Sequence, residues 1–384
     1  MNLAFLNMPI EFYSGVSGGA ISTIICNVAK HLHKQPDNVT VISRLGSYPK
    51  YPYGSFVQLE PCGAEDLSFW QRRLSGVRWR FHDWDWPFYD YYRSAFESAI
   101  RSLPSRPDAV IVFNDFISPV HLKALLPDTR IFVWLQNEQR TRMKNMPESI
   151  KATDGWLTCS DYIRDWTARE HSFPRERIKT VPSGVCLETF RPREHYLETR
   201  GPVRVLFVGR MDPNKGVDLA VDAVAALQAE GLQVSITVVG GRWFYGHGHE
   251  AEDPYFCELR AKMEAARATY LGHVTRDHIA EVFREHDIVC VLSRSNEPFG
   301  LVVLEAMASG CAVVASNRGG LPEASGGAAM LVDPDDRQSV LAAMRRLVTD
   351  PDALSQAKRA SVARASNASW KVTAERFTSA LASI

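Results

Sequence analysis

Apolar residues fall along this chain in short unbroken runs, each bounded by polar loops. The first half carries "NLAFLNM", "NVTVIS", "DAVIVF", "RIFVWL" and "DGWLTCS". The second carries "VRVLFVG", "QVSITVVG", "DIVCVL" and "CAVVAS". Unbroken runs suit strands covered on both faces, as in a parallel sheet, whereas a half-exposed strand alternates. Helical spacing separates most of the runs, as in Ile21, Ile24, Ile25, Val28 and Leu32, which share one helix face. Strand and helix alternating in both halves predict an α/β fold of two doubly wound, Rossmann-like parallel-sheet domains. The polar stretch "CLETFRPREHYLETRGP", with two prolines and no sustained period, marks the boundary. The expected domains are residues 1–190 and 191–365. A separate amphipathic helix lies within 366–384, with Trp370, Val372, Phe377 and Leu381 as its apolar members.

Composition narrows the class. The chain has 384 residues, 45% hydrophobic and 23% charged, as expected of a globular protein with two ordinary domains. Lys+Arg and Asp+Glu balance at 44 each, which weighs against a nucleic-acid binder. No apolar run is long enough to span a bilayer, and "MNLAFLNMPI" reads as a first strand rather than a signal peptide. The seven cysteines lack CxxC pairing. Cys26, Cys159, Cys290 and Cys311 sit in apolar contexts and read as core filler in a reducing cytosol. The expected location is cytoplasmic.

The chemistry concentrates in "SNEPFGLVVLEAMASG", residues 295–310, which sets two glutamates eight positions apart. "DIVCVLS" is a strand ending near Ser293, and "FGLVVLEAMAS" a helix starting near Phe299, with Gly310 as its C-cap. The loop between lies at the carboxyl end of a parallel strand, where open α/β sheets bind ligands. The first helix amides, near Phe299, Gly300 and Leu301, lack intrahelical partners and favour an anion. Glu297 stands where it would bind hydroxyls of a sugar attached to that anion, and Glu305, if buried, would find partners in ribose hydroxyls. The alternative is a loop glutamate and a solvent-facing helical one. "VGRMDPNKGVD", residues 208–218, places Arg210 and Lys215 around a turn between a strand end and a helix start. Two cations there suit a diphosphate, although solvated turn cations give the same pattern. "YSGVSGGA", residues 13–20, supplies Gly15, Gly18 and Gly19 after the first strand; it is not GxGxxG, and a plain tight turn reads equally well.

Two stretches have competing readings. "FHDWDWPFYDYY", residues 81–92, is either an acceptor platform or packed aromatic core. Arg72, Arg73, Arg78 and Arg80 precede it, as a peripheral contact with an anionic membrane face or as a solvated basic face. In "WFYGHGHE", residues 243–250, His247, His249 and Glu250 are ligand types for zinc, but no matching set accompanies them. The expectation is a loop and no metal site.

"GGA", "VGRMDPNKGVD", "EPFGLVVLEAMASG", "ASNRGGLPE" and "PSGVCLETFRP" together resemble retaining glycosyltransferase family 4, of GT-B architecture. The resemblance spans most of the chain and is strongest over residues 180–335. It implies two domains facing a cleft, the acceptor on the first and the nucleotide-sugar donor on the second, with the last helix packing back on the first domain. Arg210 and Lys215 would neutralise the donor diphosphate without a divalent metal. Glu297 would bind donor-sugar hydroxyls with the Phe299, Gly300 and Leu301 amides, and Glu305 the ribose. Gly18 and Gly19 would meet the diphosphate, and His273 and Val274 the base. No cofactor is implied, since the nucleotide sugar is a substrate. Where members often carry a histidine after the fifth strand, this chain has Gln136, which hydrogen-bonds a hydroxyl but does no acid–base work. The junction's usual Asn-Gly-Val-Asp reads Ser183, Gly184, Val185 and Cys186.

The expected function is hexosyl transfer from a UDP-sugar, or second a GDP-sugar, to a hydroxyl acceptor in polysaccharide or glycoconjugate synthesis. Candidate catalytic residues are Arg210, Lys215, Glu297 and Gln136. Rival functions are a nucleotide-sugar epimerase, a dinucleotide-dependent oxidoreductase, which wants the GxGxxG turn missing here, and a non-catalytic nucleotide-sugar binder.

Overall fold

The computed structural model describes residues 1–8, 11–14, 19–32, 38–45, 50–59, 68, 70, 73, 89–139, 146–199, 201–241 and 253–384. The nine apolar runs all form strands. In the first unit they are β1 (Leu3–Leu6), β2 (Val39–Ser43), β4 (Ala109–Phe113), β5 (Arg130–Leu135) and β6 (Gly155–Thr158). Two shorter strands, β3 (Ser55–Gln58) and β7 (Ile178–Thr180), complete a seven-stranded sheet ordered β3-β2-β1-β4-β5-β6-β7. Its pairings are parallel, with β1 lying between β2 and β4 in the registers Leu3–Val39 and Leu3–Ala109. The helices of this unit are α1 (Ala20–Leu32), α2 (Tyr89–Arg101), α3 (Ser118–Leu125), α4 (Met146–Ala152) and α5 (Asp161–Glu170). On α1, Ile21, Ile24, Ile25 and Val28 are buried as their spacing predicts.

The second unit repeats the scheme. Its sheet is ordered β10-β9-β8-β11-β12-β13: β8 (Val203–Val208), β9 (Val234–Val239), β10 (Thr269–Gly272), β11 (Ile288–Val291), β12 (Ala312–Ser316) and β13 (Met330–Val332). Helices α6 (Val217–Ala229), α7 (Pro254–Ala265), α8 (Arg276–Arg284), α9 (Leu301–Ala308), α10 (Leu321–Ser325), α11 (Arg337–Thr349) and α12 (Pro351–Ser366) connect and cover these strands. The core gathers Val205, Phe207, Val221, Ile236, Val238, Ile288, Cys290 and Val314 around both sheet faces. At its base Asp287, fully buried, accepts from Lys358 Nζ at 2.7 Å and lies 3.6 Å from Arg204 Nε. Removing one partner from such a buried pair leaves an uncompensated charge. Cys26, Cys159, Cys290 and Cys311 are buried free thiols, and burial pushes Cys290 and Cys311 up to about 12, so neither is a thiolate at neutral pH.

The chain divides into Met1–Pro182 with Thr373–Ile384, and Ser183–Val372. The first division lies earlier than residue 190, because 183–190 pack with the second unit: Phe190 meets Phe283 edge-on at 5.9 Å. At the other end it lies later than residue 365, inside α13 (Trp370–Ser383). The later residues of α13 are anchored in the first unit. Phe377 stacks on Trp134 at 5.2 Å and lies 5.7 Å from Phe5, while Arg130 Nη1 donates to the Leu381 carbonyl at 2.8 Å. Among the described residues no helix is long and apolar enough to cross a membrane.

Phe377 is wholly buried. Phe377→Ala should therefore cost roughly 3–5 kcal/mol, the usual cost of emptying an aromatic core site. Urea denaturation followed by tryptophan fluorescence measures this; an unchanged midpoint would show that α13 is not an anchor of the first unit.

Candidate functional site

In the second sheet the strand order reverses between β8 and β11, so the loops after these two strands meet at its carboxyl edge. The β8 loop forms a single 3-10 turn, Pro213–Lys215, capped by the Asp212 carboxylate accepting from the Asn214 amide at 2.9 Å. Gly216 ends the turn at φ +69° and starts α6. A Cβ on Gly216 would sit 2.0 Å from the Leu292 carbonyl oxygen, so only glycine lets the two loops touch. They are further tied by Arg294, whose amide donates to the Asn214 carbonyl at 2.7 Å and whose guanidinium grips Asp218 at 2.8 and 2.6 Å. Burial alone would raise Asp218, but the hydrogen bonds and charge of Arg294 hold it below its usual value.

This packing brings Lys215 and Glu297 together. Lys215 Nζ lies 2.5 Å from Glu297 Oε1, and Ser293 Oγ donates to the same oxygen at 2.6 Å. Glu297 is largely buried, at 15% exposure. The loop after β12 supports it from behind: the Gly320 amide donates to the Glu297 carbonyl at 2.7 Å. Arg210 remains at the strand end, half exposed, with Nη1 3.8 Å from Asp212 Oδ2.

Helix α9 follows directly. Phe299 is buried, Gly300 is its left-handed N-cap at φ +101°, and no side chain caps the helix. The amides from Leu301 onward thus start a helix whose N-terminus carries partial positive charge beside Lys215 and Glu297. Glu305 is not a solvent-facing residue. It is 14% exposed, its Oε1 lies 3.1 Å from Arg276 Nη2, and burial raises its pKa against the opposing pull of Arg276. His273 and Val274 lie in the loop between β10 and α8, His273 exposed and Val274 partly buried.

In the first unit Gly19 faces a side chain. A Cβ there would lie 2.5 Å from Glu11 Oε1. The Ser22 amide and Oγ both donate to Glu11 Oε2, at 3.1 and 3.2 Å, and burial raises Glu11 despite these bonds. The start of α1, where the diphosphate was expected, is thus already met by the protein's own carboxylate. Gly15 and Gly18 lie outside the described residues, as do Arg72, Arg78, Arg80, residues 81–88, His247, His249 and Glu250. Gln136 follows β5, buried, its amide donating to Asn114 Oδ1 at 2.7 Å and its Nε2 unpartnered. Asp115 stands two residues beyond Phe113 as Gln136 stands two beyond the paired Trp134. Its Oδ1 accepts from the Ile117 and Ser118 amides, Oδ2 is unpartnered, and burial raises the carboxyl. Among the described residues no group of three or more His, Cys, Asp or Glu forms a metal site.

Residues 191–364 match the family described as Glycosyl transferases group 1. That segment is similar in sequence to group 1 glycosyl transferases. Its relatives include a D-inositol 3-phosphate glycosyltransferase of Rhodococcus opacus, 35% identical over 250 residues, covering 62% of this chain and 55% of that protein. Spore coat protein SA of Bacillus subtilis is 29% identical over 252 residues, 61% of this chain and 66% of its own. The chain spans about half the length of the first curated relatives it matches, 55%, 54% and 46%. Among solved structures, Anabaena Alr3699/HepE in complex with UDP-glucose superposes with TM-score 0.72 at 17% identity, covering 100% of both chains. Trehalose-6-phosphate synthase OtsA superposes with TM-score 0.73 at 15% identity, over 100% of this chain and 99% of its own. The fold is that of these GT-B glycosyltransferases.

Sequence reasoning missed Ser293, Arg294, Asp218 and Arg276. Asp218 lies inside one motif and Arg294 immediately before another, and their opposite charges were the available signal. Arg276 lay outside them.

Two outcomes test this geometry. Lys215→Met and Glu297→Gln should each cost about 1–3 kcal/mol of stability, and the double substitution less than their sum, because each single change strands a half-buried partner. Additive losses in urea denaturation would mean that the pair does not interact. Asp218→Asn should be less stable than the parent at neutral pH. Because the folded pKa of Asp218 lies below its ordinary 3.8, the difference is present above that value and is lost as pH falls through the lowered one. A pH-independent difference would contradict the Arg294–Asp218 assignment.

Proposed function

We propose that this protein is a retaining glycosyltransferase that moves a hexose from a nucleoside diphosphate donor, UDP before GDP, to a hydroxyl acceptor in polysaccharide or glycoconjugate synthesis. The observation that carries the reading is Lys215 and Glu297 in contact beside the uncapped N-terminus of α9. A cation, a carboxylate and a helix start within one loop cluster match a sugar attached to a diphosphate. The family match and the UDP and UDP-glucose complexes of structural neighbours support this donor class.

In this mechanism Arg210, Lys215 and the α9 amides offset negative charge as it develops on the leaving diphosphate. Glu297 accepts hydrogen bonds from the donor sugar, and Glu305 from the ribose. The acceptor oxygen bonds to the anomeric carbon on the face the diphosphate leaves. The bond from that carbon to the phosphate oxygen breaks, and the acceptor proton passes to the departing phosphate. Arg210 and Lys215 supply the countercharge without a divalent ion, so activity survives EDTA. Gln136, whose Nε2 is unpartnered, is the candidate acceptor contact in the first unit.

The pairing of Lys215 with Glu297 sharpens the expected mutant pattern. Glu297→Ala frees Lys215, so affinity for free UDP should hold or rise while transfer falls. Lys215→Ala should weaken UDP binding and slow transfer together. Calorimetry with UDP and initial rates with the donor identified by a thermal-shift panel decide this. Equal loss of UDP affinity in both variants would mean that the sugar and diphosphate positions are misplaced.

A further inference from the structure

Arg276 opens α8 immediately beyond the His273–Val274 loop and reaches across to α9, its Nη2 3.1 Å from Glu305 Oε1. We propose that Arg276 is a positioning residue of the nucleotide subsite, holding Glu305 ionised and oriented so that its carboxylate accepts hydrogen bonds from the donor's ribose diol. The proposal rests on the glycosyltransferase reading above and adds to it a residue that neither the motifs nor the family match assigns.

A carboxyl group recognises a diol only in one protonation state. Ionised, it is a pure acceptor able to take both hydroxyls of a diol; protonated, it spends one oxygen as a donor and loses most of its pull. Glu305 sits on a helix otherwise rich in buried apolar residues, Val303, Leu304, Ala306 and Met307. Such surroundings favour the neutral form, and Glu305 is pushed up accordingly. The opposing charge is Arg276. Among the described residues, these charged groups on neighbouring elements are engaged elsewhere or exposed, apart from the partly buried Glu323. Lys358 on α12 is spent on Asp287 and the Tyr196 carbonyl, and Arg364 on the Ala324 and Glu323 carbonyls. Glu323 lies on α10, while Asp352 and Arg359 on α12 are exposed. On α8 itself, His278 pairs with Glu281, and Arg284 donates to the Thr189 carbonyl. A merely structural tie between α8 and α9 would show the same distance, so the test must read ionisation and ribose recognition rather than activity alone.

Two measurements on the full chain do this, with Arg276→Met, Arg276→Lys and the double variant Arg276→Met/Glu305→Gln. The first needs no ligand: melting temperature against pH, from the ordinary glutamate value of 4.5 upward to above neutrality. Without the cation Glu305 rises further, so its ionised form destabilises the folded state. Arg276→Met should then be less stable than the parent at the alkaline end. The gap should narrow as pH falls through the raised value and the carboxyl takes up its proton, and the double variant should show no narrowing. The second is calorimetric titration with UDP and with 2′-deoxy-UDP over the same pH range. Arg276→Met should lose about ten-fold in UDP affinity relative to the parent, and the ratio between the two should widen as pH falls. The 2′-deoxy ligand should lose less, and Arg276→Lys should recover part of the UDP affinity. A stability gap unchanged with pH, or parental UDP affinity in Arg276→Met at every pH, would overturn the proposal. If the parent chain binds no nucleoside diphosphate, the glycosyltransferase reading falls, and the stability arm still decides whether Arg276 keeps Glu305 ionised.

Discussion

The candidate site depends on backbone packed against backbone at the carboxyl edge of the second sheet. Gly216 lies against the Leu292 carbonyl, and Gly319, at φ +58°, lies against that of Glu297, where a Cβ would come within 2.3 Å. No side chain fits at either place, so the loops after β8, β11 and β12 close on one another directly. That closure fixes Lys215 against Glu297 and starts α9 beside them. Arg294 then acts as a rivet through Asp218. The chemistry is held by main chain and by one bidentate ion pair, which suits a site whose groups must stay within tenths of an ångström of a working geometry.

The charges are arranged in opposed pairs: Lys215 with Glu297, Arg276 with Glu305, Arg294 with Asp218. Each pair offsets the desolvation of the other member, which a lone charge at this depth could not escape. Two unit charges about 4 Å apart attract by about 4 kcal/mol at a surface-like effective dielectric. On the proposed function, a diphosphate carries more charge than one carboxylate and would meet Lys215, Arg210 and the α9 amides together, so it would compete for Lys215 and leave Glu297 to the sugar hydroxyls.

The strands found in the sequence and those missed divide along a physical line. Every unbroken apolar run became a strand with neighbours on both sides. The four strands without such a signal, β3, β7, β10 and β13, are the four sheet edges. Edge strands are short and partly exposed, as β10 is with Tyr270 and Leu271 open to solvent, so no continuous apolar run marks them. The same line runs through the site. Glu297, Lys215 and the α9 start were legible because their chemistry is clustered in sequence. Arg276 was not, since only the fold brings it to Glu305. Nor was the Glu11 carboxylate at Gly19, because the signal there was a glycine loop that fits a ligand and a side chain equally well.

Amide hydrogen exchange on the full chain, with and without a UDP-sugar and without added metal, tests the central claim most directly. The account predicts that the donor slows exchange chiefly in residues 209–217 and 292–305, the two loops and the first turns of α9, with a smaller effect at 272–276. Protection absent from these segments, or confined to residues 1–182, would contradict it.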